Sequence, residues 1–73
     1  MLVNISTEYI KLDQLLKFSG IAENGAVAKA MIADGIVEVG GEVCLMRGKK
    51  LRAGDRVTVT FENGREEITV GAE

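Results

Sequence analysis

Arg47, Lys49, Lys50 and Arg52 fall within six consecutive residues, RGKKLR, with no acid among them. Lysine and arginine at that density do one kind of chemistry unaided. They neutralise phosphate or carboxylate oxygens, arginine through paired N–H donors and lysine as a point charge. The chain as a whole has a formal charge of −2, so its charge is sorted along its length. Residues 11–52 carry seven cations and five acids, whereas the remainder carries two cations and six acids. Net charge alone argues mildly against a polyanionic partner. The placement of charge argues for one face that holds phosphates.

Other chemistries fail on residue type. With no histidine, a Ser–His or Cys–His nucleophile pair cannot form. A structural zinc site normally takes four Cys or His ligands, and the chain has one cysteine, Cys44. That lone thiol cannot close an intrachain disulfide and reads as a small apolar strand residue. Gly48-Lys49 is not a phosphate loop. Six residues separate Gly41 from Gly48, Lys50 stands where Ser or Thr is needed, and strands flank it on both sides. Glu62, Glu66 and Glu67 gather around a hairpin and read as a solvated acidic side. The expectation is a protein that is not an enzyme, with no metal, no cofactor and no small-molecule substrate.

The elements must then place the cations. Seventy-three residues, 47% hydrophobic and 27% charged, suit one soluble domain spanning 1–73. Stability of about 3–5 kcal/mol is typical for a core this small, and a deep pocket would hollow it out. MLVNISTEYIKLDQ lacks the charged start and apolar centre of a signal peptide. No apolar run approaches the ~20 residues of a membrane span. The expected location is cytoplasmic, with no membrane partner.

Residues 2–9 read as a weakly alternating strand. Leu12, Leu15, Leu16 and Ser19 then follow helical spacing, with Asp13 in the first turn and Gly20 as the stop. A second helix begins at the N-cap Asn24, with Val27, Ala28, Met31 and Ile32 as its apolar stripe and Gly35 closing it. IVEV and EVCL flank Gly40-Gly41, a hairpin signal. An AGD turn leads into Val57, Val59 and Phe61, and Asn63-Gly64 reads as a second hairpin turn. A loop at Asn63-Gly64 sets Glu62 opposite Arg65, Val59 opposite Ile68 and Val57 opposite Val70. Phe18 and Phe61 are expected in the core. The order is strand, two helices, then four strands: an α+β domain with two short helices on a small, mostly antiparallel sheet.

On this reading Lys17 and Lys29 lie far round their helices from the apolar stripes, and Lys11 sits at the mouth of the first helix. The loop Arg47–Arg52 is exposed by its polarity. Asn24 and Gly25 open the second helix, whose free N–H groups and small residue suit a phosphate.

These residues resemble a known family. KLDQLLKFSGIAENGAVAKAMIADGIVEVGGEV, followed by GKKLRAGDRV, is similar to the RNA-binding domain of the small-subunit ribosomal protein S-four type, the αL motif. The shared features fall on Lys11-Leu12-Asp13, Leu16, Gly20, Asn24, Ala28, Ile32, Gly35, Val37, Val39, Gly41 and Gly54-Asp55. They cover residues 10–60, and the short length with NGAVAK and RGKKL looks most like the small free-standing bacterial YaaA/YbcJ type. Two departures stand out. Many members carry Ser-Arg where this chain has Asn24-Gly25, and Asn-Gly where it has Gly40-Gly41.

The resemblance implies RNA binding through the two-helix face and the adjoining loop, carried by Lys11, Lys17, Asn24, Lys29, Arg47, Lys49, Lys50 and Arg52. Phosphate contacts of this kind position without reading bases. With one Tyr and two Phe, an aromatic stacking platform is not expected. The implied target is structured RNA, ribosomal or transfer RNA, with the ribosome as a candidate partner. The alternative is a protein-interaction adaptor that retains the fold and has lost RNA, motivated by the acidic net charge and Gly25.

Overall fold

The computed structural model describes residues 1–73. Two helices form where the leucine and alanine spacing places them. Helix α1, Leu12–Phe18, buries Leu12, Leu15 and Leu16. It ends as the Ser19 N–H donates to the Leu15 carbonyl at 2.9 Å and Gly20 turns away at φ +85°. Helix α2, Gly25–Ala33, buries Ala28, Met31 and Ile32. Its N-cap is Asn24, whose side-chain oxygen accepts from the Val27 N–H at 2.9 Å. The buried stripe is narrower than the sequence suggests: Val27, expected within it, lies on its exposed flank. No helix is long and apolar enough to cross a membrane.

The strands are β1 (Leu2–Ile5), β2 (Ile10–Lys11), β3 (Val37–Val39), β4 (Glu42–Val43), β5 (Lys50–Leu51), β6 (Arg56–Phe61) and β7 (Gly64–Ala72). Five make one sheet in the order β1-β7-β6-β3-β4, antiparallel except for the parallel β1–β7 pair. The remaining two, β2 and β5, form a separate antiparallel ladder. The architecture is the expected α+β class. Its core of 14 buried residues draws on both helices and both ladders and contains no aromatic ring.

Five further expectations are corrected. The N-terminal stretch is two strands rather than one. It breaks at Ser6–Glu8, where the Thr7 hydroxyl donates to the Tyr9 carbonyl at 2.9 Å, and the halves serve different ladders. EVCL is extended only through Val43, and Cys44 beyond it is half-buried. Five strands follow the helices rather than four, because the β5 ladder is only two residues long.

The last hairpin is shifted by two residues. Val57 pairs with Ile68, Thr60 with Arg65 and Phe61 with Gly64, so the turn residues are Glu62 and Asn63. An even shift leaves every side chain on its own face, which is why the alternation was right while the partners were not. The shift seats Val70 at the Asp55 turn, donating to the Asp55 carbonyl at 2.9 Å and accepting from the Gly54 N–H at 2.8 Å.

Neither phenylalanine is in the core. Phe18 is 66% exposed, because the inner quadrant of α1 is filled by its three leucines. Phe61, 37% exposed, sits at the turn end of the hairpin, paired with Gly64.

Candidate nucleic-acid interface

The short β2–β5 ladder matters most for the cations. It sets Lys11 directly opposite Lys50, and Ile10 opposite Leu51. Leu51 is fully buried, so the alternation of a strand turns its neighbours Lys50 and Arg52 outward, and Lys11 with them. Two further hydrogen bonds tie the loop before β5 to the first turn of α1. The Leu12 N–H donates to the Lys49 carbonyl at 2.9 Å, and the Asp13 N–H donates to the Arg47 carbonyl at 3.1 Å. Lys11, Arg47, Lys49 and Lys50 are therefore held at one place by the backbone, although 36 to 39 positions separate Lys11 from the other three.

Like charges placed directly opposite one another on paired strands repel. Asp13, half-buried in the first turn of α1, is the nearby acid in sequence, and its carboxylate already accepts the Gln14 N–H at 2.8 Å. Lys50 is steadied from the other side. Its ammonium lies 4.9 Å from the centre of the Tyr9 ring, within cation–π range. Sequence reasoning passed over Tyr9, yet the signal was present. Tyr9 and Lys11 alternate about Ile10, so the face that exposes one presents the other.

The other candidates lie on adjoining elements. Lys17 is exposed in the last turn of α1 and Lys29 in the middle of α2, the helix packed against it. Arg52 follows β5 directly. Its N–H donates to the Asp55 carboxylate at 2.8 Å and its carbonyl accepts from the Asp55 N–H at 3.0 Å, which fixes the turn beneath it. Asn24 is exposed, but its side-chain oxygen is engaged in capping α2. Its contribution is to shape the helix start. All the cations named are solvent-exposed.

The acids of the β6–β7 hairpin are placed apart from this cluster in the topology, whereas Glu8 and Glu42 share grooves with Lys11 and Lys49. Glu62, Glu66 and Glu67 are exposed on the β6–β7 hairpin, which belongs to the five-stranded sheet rather than to the β2–β5 ladder. No group of three or more Cys, Asp or Glu side chains is arranged to hold a metal ion. The arrangement suits a multivalent anion laid over exposed ammonium and guanidinium groups.

Residues 3–70 match the protein family described as S4 domain. Among characterised proteins, the chain is similar to one from Bacillus subtilis (strain 168) described as a probable ribosome maturation protein RlbA. The two are 37% identical over 57 residues, which cover 78% of this chain and 80% of the relative.

Proposed function

The chain belongs to the S4 domain family, and on that premise we propose that it is a non-enzymatic RNA-binding protein that grips the backbone of a structured RNA. Its place would be on ribosomal RNA, in the assembly or maturation of the ribosome; transfer RNA is the other structured candidate. The name carried by the Bacillus relative supports the ribosomal choice. The single observation that carries the reading is the convergence of Lys11 with Arg47, Lys49 and Lys50 at the start of α1. Lys17, Lys29 and Arg52 extend the footprint along the adjoining elements. Contacts of this type fix register and orientation on a folded RNA and leave sequence to its shape.

Binding should depend steeply on salt. If about five phosphates are neutralised, log affinity falls against log salt with a slope of about −3.5 to −4.5. Titration of ribosomal RNA fragments at several salt concentrations measures it. Lys49→Glu with Lys50→Glu should weaken binding to every structured RNA alike and flatten the slope by about 1.4–1.8. No binding at low salt, or a flat salt response, would falsify the reading.

A second reading, the protein-interaction adaptor, has one observation in its favour. Val43, Leu45 and Met46, immediately before the cation loop, are exposed large apolar side chains. Under that reading the double charge reversal leaves the proteins recovered with the chain from cells unchanged.

A further inference from the structure

Phosphate contacts leave one feature of α1 unexplained. Counting from the cap, Lys11, Gln14 and Phe18 follow i, i+3, i+7 spacing, so they lie along one line of the helix surface. All three are exposed, on the flank of α1 beside its buried face of Leu12, Leu15 and Leu16. The line begins at the cation cluster, beside a shallow groove lined by Thr7, Glu8, Tyr9, Ile10, Lys11 and Gln14, in which Glu8 is the one acid. It ends about 10 Å away, by the 1.5 Å rise per residue of a helix, at a phenylalanine with two thirds of its surface in water.

A phenylalanine left largely in water forgoes most of the stabilisation that its burial would supply. A single exposed apolar residue needs no explanation by its position alone. Here the position is informative, because the ring stands at the end of a line of polar residues that starts among four cations. Gln14 is one helical turn from Phe18, close enough for both to touch one small planar ligand. Its amide offers both a donor and an acceptor. A flat π-face beside an amide, approached from a phosphate-binding surface, matches the chemistry of an unpaired nucleobase.

We propose that the α1 surface holds one unpaired nucleotide of the bound RNA, its base stacked on Phe18 and its edge met by the Gln14 amide. The inference rests on the RNA-binding reading and deepens it. The ligand would be a paired stem carrying a bulged or looped-out base, with the stem's backbone on Lys11, Arg47, Lys49 and Lys50. This revises the expectation that aromatic stacking has no part, which depended on Phe18 being buried.

The test uses the full chain and two labelled RNA hairpins identical except for a single-nucleotide bulge in one stem. The wild type should prefer the bulged hairpin. Phe18→Ala should lose about 5- to 150-fold in affinity for the bulged RNA while changing little for the fully paired one, and Phe18→Trp should retain the preference. Gln14→Ala should narrow discrimination among the four bases at the bulge. Because Phe18 lies outside the core, its truncation leaves the fold intact, and circular dichroism checks that. Equal wild-type affinity for the two hairpins, or an equal effect of Phe18→Ala on both, overturns this inference and leaves salt-dependent backbone binding standing. Failure of both hairpins to bind at low salt overturns both readings together.

Discussion

At the scale of single residues, Gly25 stands where the resemblance led a cation to be expected, and the structure shows that nothing steric requires glycine there. A Cβ there would meet no atom within 4 Å, and the residue does not take a positive φ. Gly25 opens α2 next to the Asn24 cap, on an exposed surface one turn before Lys29. Gly25→Arg should therefore fold normally, gain about 0.5 kcal/mol from replacing a helical glycine, and add one phosphate contact. The check is a salt slope steeper by about 0.7–0.9 with tighter binding, alongside a slightly raised melting temperature. The cations were legible from sequence because a charged side chain in a small domain has nowhere to go but the surface. The phenylalanines were not. Hydrophobicity says that a ring prefers burial, but which rings fit is settled by volume, and three leucines already fill the inner side of α1.

At the scale of elements, the two-residue strands β2 and β5 are the smallest pieces of the fold and the ones that assemble the site. No pattern of two residues can be read as a strand, so the sequence offered only an exposed polar loop where the molecule has a ladder. The hairpins were easier. Gly40 and Gly41 both take the positive φ their turn requires, at +60° and +88°. The register of β6 and β7 slid because alternation fixes faces and not partners. Leu51→Ala tests the ladder. Leu51 is fully buried opposite Ile10, and its loss should cost about 2–5 kcal/mol, lowering the melting temperature by about 8 °C or more. Ile68→Ala in the large sheet should cost a similar amount. Measured well below both melting points, RNA affinity should fall for Leu51→Ala, which loosens the seat of Lys50, and hold for Ile68→Ala.

At the scale of the whole molecule, the sorting of charge along the chain is what would reconcile an acidic protein with the proposed polyanionic partner. The molecule measures 32 × 21 × 20 Å, several Debye lengths at physiological salt (~8 Å) but about one at 0.01 M (~30 Å), so at low ionic strength the field of one side reaches the other. The exposed acids Glu62, Glu66 and Glu67 therefore act on an approaching RNA even if they never touch it. Neutralising them together, Glu62→Gln with Glu66→Gln and Glu67→Gln, should speed association several-fold at low ionic strength, and the gain should vanish at high salt. Stopped-flow measurement across a salt series reads this. Dissociation should be unchanged, because these side chains make no proposed contact.

The parallel pairing of β1 with β7 carries a consequence for how the protein comes into being. Leu2 stands beside Thr69 and Ile5 beside Ala72, so the first strand waits for the last before it has a neighbour. Lys11 likewise has no partner until Lys50 has left the ribosome's exit tunnel. Closing such long loops precedes the contacts that reward it, which makes folding slow and all-or-none for a chain of this size. A nascent chain halted before β7 would display its lysines without the scaffold that gathers them. The capacity to grip a folded RNA would then arrive in one step, once β7 has been made.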